Sequence, residues 1–167
     1  LKDAARDKGF EVERGRGAGS KTYISEVVED LEDDIKKYKP AVTVIMVGTW
    51  DVLKEKDVKG VRAQFEKMIQ ICLDNGTIPV MAGIPYMFND DMLPAVNDVN
   101  DACSAAAFGN SVPFIDVFGM VTSEGPQKTK KFFSSEYRLK SRAYDMIDET
   151  FGKLYAILKK HVFSSDD

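Results

Sequence analysis

The apolar positions of the chain switch repeatedly between the spacing of helices and the spacing of strands. Residues 22–38 carry an apolar stripe at helical spacing, which predicts a helix that stops at Pro40. The next segment, residues 41–47, is almost continuously apolar and rich in β-branched residues. Such a run is typical of a central parallel strand that is covered on both faces.

The same alternation continues to the end of the sequence. Helical spacing at residues 61–72 precedes a predicted strand at 77–82, and a helix opened by Pro94 and ended by Gly109 precedes a strand at 112–117. A long helix closes the sequence, and residues 10–13 alternate like an edge strand with one solvated face. These lengths predict one domain over residues 1–167, a doubly wound α/β sandwich with a parallel sheet.

Composition and charge narrow the function classes. The 167 residues are 44% apolar, which is enough for a core without a metal or a disulfide. The net charge is −4, with acids and bases spread along the chain, so a nucleic-acid footprint is not expected. No apolar run approaches the ~20 residues of a membrane span. Cys72 and Cys103 fall at apolar helical positions, which favours buried thiols over a disulfide, although the latter stays open.

Ligands of such sheets bind beyond the carboxyl ends of the strands, so the loops there are the places to look for chemistry. The run GRGAGS at residues 15–20 invites a dinucleotide-binding interpretation. The match is weak, because Ser20 stands where the third glycine belongs and Asp51 lies too far along for the ribose-binding carboxylate. A glycine-rich turn is the favoured alternative.

The order of these segments, with GTWD at residues 48–51, GIP at 83–85 and FIDV at 114–117, resembles the SGNH (GDSL-type) esterase and acylhydrolase family over nearly the whole chain. The resemblance implies a flavodoxin-like three-layer α/β/α sandwich with a parallel sheet. It also implies a nucleophilic serine in a Gly-Asp-Ser motif, an oxyanion hole built from a glycine and a Gly-x-Asn-Asp motif, and an Asp-x-x-His pair before the last helix.

The functional blocks of that family are degenerate here. The Gly-Asp-Ser block with its strand is absent from the sequence, and the second-block glycine is Gly17 or Gly19. In place of Gly-x-Asn-Asp the sequence has, in order, Gly48, Thr49, Trp50 and Asp51. In the best register of the last block, Ser135 stands at the aspartate position and Arg138 at the histidine position.

These substitutions disfavour acyl transfer. An indole ring at position 50 would fill the space of the substrate carbonyl, and the protonated guanidinium of Arg138 is no general base. The favoured hypothesis is therefore a non-hydrolytic structural or protein-interaction module without cofactor or metal. Two alternatives stay open: an active ester hydrolase whose serine lies upstream of this sequence, and a carbohydrate or acyl-ligand binder that uses Trp50 and Arg138. Trp50 is either a plug of the former crevice or a binding platform.

Three further expectations concern other residues and a partner. His161, the only histidine, is expected at the end of a helix, and Asp90 and Asp91 in a solvated loop rather than a metal site. The missing central strand is expected between residues 10–14 and 41–47. Because unpaired strand edges are unfavourable when buried, an upstream segment or a protein partner is expected to supply it.

Overall fold

The computed structural model describes residues 5–15, 21–85, 87, 89–123, 125, 129–135 and 139–162. The chain divides into two compact units. One is Arg14–Gly119, here called the sheet unit; the other combines Leu1–Glu13 with Met120–Asp167 and is here called the terminal unit.

Helices and strands alternate along the chain, and the three strands form one sheet. The elements in order are helix α1 (Ile24–Tyr38), strand β1 (Val42–Ile45), helix α2 (Thr49–Leu53), helix α3 (Val61–Asp74), strand β2 (Ile78–Ala82), a 3-10 turn (Asp90–Met92), helix α4 (Leu93–Gly109), strand β3 (Phe114–Ile115), helix α5 (Val117–Thr122), a 3-10 turn (Lys130–Phe132) and helix α6 (Ser141–His161). The strand order is β1-β2-β3 and both pairings are parallel. The predicted α/β class with a parallel sheet is confirmed.

The core of the sheet unit lies where α3 packs against α1 and α4. Phe65, Met68 and Ile69 of α3 are completely buried there, at the spacing that the sequence predicts. Helix α1 buries Ile24, Leu31 and Ile35. Lys39 caps its C-terminus, because the left-handed backbone of this residue lets its N–H donate to the Ile35 carbonyl. Burial of these apolar side chains is the main term that stabilises the unit.

Strand β1 lies at an edge of the sheet formed by the described residues, and β2 occupies the centre. This corrects the expectation that residues 41–47 form a central strand covered on both faces. Four of the five β2 residues are buried, whereas Ile45 is the only buried residue of β1, and the adjoining Met46 is 42% exposed. The apolar composition of β1 therefore exceeds what its position in this sheet requires.

Two further strand predictions need correction. Residues 10–13 do not form a strand; the chain turns at Gly9, and Phe10 packs its ring against Tyr155 at a centroid distance of 5.4 Å. Their alternating pattern reflects one packed ring rather than a pleated edge. The strand predicted at 112–117 is limited to Phe114–Ile115, because Val117 already begins α5.

In the terminal unit, the main element is α6, which buries Ala143, Ile147, Phe151, Tyr155 and Leu158 along one face. An isolated antiparallel bridge joins Phe133 to Leu139 just before it. Among the described residues, no helix has both the length and the apolar character needed to cross a bilayer.

Candidate functional site

The candidate site begins where the chain leaves the carboxyl end of β1, at Gly48. Its φ of +121° lies outside the range that side-chain-bearing residues adopt easily, and a Cβ there would lie 2.7 Å from Cγ1 of Val99. Only glycine fits both conditions. The turn lets Thr49 start α2 directly, so the GTWD block forms the first turn of a short helix instead of an open loop.

Asp51 is a buried carboxylate that holds the start of another helix. Its Oδ2 accepts a hydrogen bond from the backbone N–H of Ile24 at 3.1 Å, and Oδ1 lies 3.4 Å from the same nitrogen. Ile24 is the first residue of α1, where backbone N–H groups have no partner within the helix. Burial raises the pKa of Asp51 above its ordinary value, while the hydrogen bond from Ile24 partly opposes this shift.

Trp50 is half-buried, and two ammonium groups lie near its indole ring. Nζ of Lys54 lies 4.7 Å from the ring centroid and Nζ of Lys21 lies 5.8 Å from it. In a separate contact, Nζ of Lys56 lies 5.2 Å from the ring of Tyr23. Cation–π attraction of this kind stabilises by about 0.5–1 kcal/mol at exposed sites.

The lysines are functional candidates that sequence reasoning missed. Lys54 follows Trp50 by four residues, which is the spacing of neighbours on one helix face, but the sequence predicts no helix at this point. Lys21 comes from the segment before α1, and no local signal associates it with Trp50. The GTWD pattern therefore does not predict that the indole of Trp50 lies near the ammonium groups of Lys21 and Lys54.

A second loop at the carboxyl ends of the strands is fixed by Asn100. Its Oδ1 accepts the Ile84 N–H at 2.8 Å, and its Nδ2 donates to the Ile84 carbonyl at 3.1 Å. A side chain on the neighbouring Gly83 would place its Cβ 3.0 Å from that Oδ1. Asn100 lies on α4, and its side chain satisfies both the N–H and the C=O of Ile84 in the loop that follows β2.

The structure describes only part of the other predicted site residues. Gly17, Gly19 and Arg138 lie outside the described residues. Ser135 is exposed and belongs to the terminal unit, whereas Gly48, Thr49, Trp50 and Asp51 belong to the sheet unit.

The remaining titratable candidates are His161, the exposed Asp90 and Asp91 of the first 3-10 turn, and the two cysteines. His161 is the exposed last residue of α6, as expected. Within the described residues, no group of three or more acidic, histidine or cysteine side chains could hold a metal ion, and Asp91 donates its N–H to Oδ1 of Asn89 in the 3-10 turn. Both cysteines are free and buried, and burial raises the pKa of each thiol to about 12.

Comparison with known proteins identifies the fold. No protein-family profile and no curated protein sequence matches the chain. Among solved structures, it is similar to a GDSL-like lipase from Bacteroides thetaiotaomicron, with a TM-score of 0.71 and 16% identity over 82% of this chain and 72% of that one. A putative lipolytic protein of the G-D-S-L family from Desulfitobacterium hafniense gives a TM-score of 0.74 and 16% identity over 90% and 85% of the two chains.

An acetylxylan esterase from Geobacillus stearothermophilus has the same fold, with a TM-score of 0.70 and 13% identity over 81% of this chain and 68% of that one. The fold of this chain is thus that of the SGNH and GDSL-type hydrolases, as the resemblance implies. At these identities the similarity establishes the fold alone, and activity has to be argued from the residues of the site.

Proposed function

We propose that this chain is an SGNH-fold domain that does not hydrolyse esters and that serves as a structural or protein-interaction module. The observation that carries the proposal is the arrangement of residues 48–51. Trp50 stands where the family resemblance places an oxyanion-hole asparagine, and its half-buried ring lies close to two lysine ammonium groups. Loss of one oxyanion donor alone lowers the rate of acyl transfer by ~10²–10³.

The neighbouring carboxylate has a structural task that does not involve a substrate. Asp51 is 8% exposed and accepts from the first N–H of α1, so its charge is directed at the backbone. The base is also missing on this alignment, because Ser135 and Arg138 stand where the resemblance places an aspartate and a histidine. An arginine stays protonated at working pH and cannot accept the proton of a serine.

The interaction part of the proposal rests on the open edge of β1. Ile78 donates to the Ala41 carbonyl at 2.9 Å, so in the parallel ladder the backbone groups of Val42, Val44 and Met46 point away from β2. Those groups have no partner among the described residues. An apolar edge strand of this kind pairs readily with another strand.

One further strand pairs with this edge in the proposed function, supplied by another segment of the same polypeptide or by a protein partner. Strand addition gives affinity through backbone hydrogen bonds and selectivity through alternate side chains. The half-buried Val42 and Val44 together with the exposed Met46 favour an apolar, β-branched strand as the added element.

A second candidate function is ligand binding at Trp50. The ammonium groups of Lys21 and Lys54 favour it, because an aromatic ring flanked by cations suits a ligand that is planar or apolar and carries a carboxylate. Arg138, proposed from the sequence as the second ligand-binding residue, lies outside the described residues.

The third candidate is an active ester hydrolase whose serine lies upstream of this sequence, and the similarity of the fold to a GDSL-like lipase and a lipolytic protein of the G-D-S-L family favours it. A fluorophosphonate probe separates it from the proposal, because the probe labels activated serines covalently. We expect the intact mass of the protein to be unchanged after incubation under conditions that label a control serine esterase completely. A covalent adduct on a serine would overturn the proposal and support the hydrolase.

A further inference from the structure

A cationic groove lies in the terminal unit, where the helical turn at residues 5–9 meets the C-terminal part of α6. It has a volume of about 610 Å³ and is open to solvent. The residues that line it are Arg6, Asp7, Lys8, Gly9, Ala156, Lys159 and Lys160. Neither the SGNH-type blocks nor the proposed function uses these residues.

The first wall of the groove is a helix end with a defined backbone geometry. The N–H of Phe10 donates to the Ala5 carbonyl at 3.1 Å, and the N–H of Gly9 donates to the Arg6 carbonyl at 2.8 Å. With Gly9 at a φ of +81°, this pair of bonds is a Schellman motif. The positions of Arg6 and Lys8 are therefore set by the backbone rather than by a free loop.

The second wall, α6, is attached to the first by two contacts. The ring of Phe10 packs against that of the buried Tyr155, and Nζ of Lys159 donates to the Lys8 carbonyl at 3.1 Å. A Cβ on Gly9 would lie 2.9 Å from the same Nζ, and the φ of +81° at this residue favours glycine. This hydrogen bond places the ammonium group of Lys159 beside Lys8 in the groove.

The charge of the groove is opposite to that of the chain. Four cationic side chains and one carboxylate line it, a local charge of +3 in a protein whose net charge is −4. Arg6, Lys8 and Lys160 make no ion pair with any described residue. Cations clustered in a concave surface attract anions and raise their local concentration.

We propose that this groove binds a small ligand that carries two or more phosphate groups. Each phosphate ester carries about −1.5 to −2 charges at neutral pH, so two of them match the local charge of +3. The guanidinium of Arg6 offers paired donors that suit phosphate oxygens, and the lysines add point charges. The volume is within the range of small-molecule sites.

The test is calorimetric titration of the protein with inorganic pyrophosphate and tripolyphosphate, alongside binding to phosphatidylcholine vesicles that contain a bisphosphorylated inositol lipid. Arg6→Gln and Lys160→Gln are expected to weaken binding about tenfold or more each, since a charge-assisted hydrogen bond is lost. Lys153→Gln is the matched control, because Lys153 is on the same helix but pairs with Glu149 outside the groove. All three positions are exposed, so the thermal unfolding curves should coincide.

The results show whether the groove binds phosphates and whether those phosphates belong to a soluble ligand or to a lipid headgroup. Binding of the soluble phosphates that Arg6→Gln and Lys160→Gln weaken and Lys153→Gln preserves supports a soluble ligand. The same pattern with vesicles alone supports a lipid headgroup and the same site. The absence of binding in both arms, or equal weakening by Lys153→Gln, or equally tight binding of inorganic sulfate, would overturn the proposal.

Discussion

The carboxylate of Asp51 accepts a hydrogen bond from the backbone N–H of Ile24, 27 residues earlier in the sequence, at 3.1 Å. This contact joins the helix turn that follows β1 to the first residue of α1. Both residues are buried, so the N–H of Ile24 would have no water to replace the carboxylate. The GTWD block therefore contributes to the stability of the sheet unit.

Removal of the Asp51 side chain is expected to destabilise the protein. Asp51→Ala leaves the buried Ile24 N–H without an acceptor, and we expect the free energy of unfolding to fall by about 1–3 kcal/mol. Asp51→Asn keeps an oxygen that can accept the same bond and should lose much less. Urea unfolding of the three proteins checks this; equal losses for the two variants would show that the hydrogen bond is not what Asp51 contributes.

The pH dependence of stability follows from the direction of the Asp51 pKa. Burial raises this pKa in the folded state above its ordinary value of 3.8, so the folded protein holds the proton more tightly than the unfolded chain does. The stabilisation that comes from the tighter proton binding is fully present below pH 3.8, and it is lost as the pH rises through the raised pKa of Asp51. The unfolding free energy of the wild type minus that of Asp51→Asn should therefore decrease from acidic to neutral pH. A difference that increases with pH would contradict the raised pKa.

The order of helices and strands could be predicted from the sequence because the residues that each element buries recur at the spacing of that element. Helix α3 and strand β2 follow this rule, since their buried residues match the predicted positions. The error at residues 10–13 has a physical reason: Phe10 is apolar because it packs on Tyr155, and a single packed ring produces the same alternation as a strand. A local pattern cannot distinguish the two.

The candidate site could be predicted less well, because its contacts are distant in sequence. The position of Gly48 in the turn after a strand can be predicted from the sequence, but the proximity of Lys21 to Trp50 and of Asn100 to Ile84 depends on folding. The short helix α2 cannot be predicted from the sequence either, because five residues are too few to show the apolar spacing of a helix.

The environment of Trp50 can be measured by fluorescence, because it is the only tryptophan of the chain. We expect Lys54→Met together with Lys21→Met to change the emission maximum and to alter quenching by acrylamide, since both ammonium groups leave the vicinity of the ring. Lys59→Met is the control, as Lys59 is exposed and makes no described contact with the indole. Identical spectra for the double variant and the wild type would contradict the described contacts.

The two cysteines should be unreactive in the folded protein. Burial raises the pKa of Cys72 and Cys103 to about 12, which suppresses the reactive thiolate, and both thiols are shielded from reagents. An aromatic disulfide reagent is expected to modify neither thiol in buffer and both in denaturant. Fast modification under native conditions would show that a thiol is exposed.

The open edge of β1 predicts an alternating pattern of amide exchange. The N–H groups of Thr43 and Ile45 face β2 and should be protected, whereas those of Val42, Val44 and Met46 face away and should exchange rapidly. Hydrogen exchange followed residue by residue by NMR measures this. When an added strand binds, the N–H groups of Val42, Val44 and Met46 should become protected. Val44→Pro removes one of these N–H groups and should therefore weaken the pairing.

Hydrolysis of short-chain nitrophenyl esters by the purified protein tests most directly whether the chain lacks esterase activity. We expect a rate equal to that of a Trp50→Ala, Asp51→Asn control and indistinguishable from the uncatalysed background. Serine-dependent turnover clearly above that background, abolished by replacement of a single serine, would contradict it.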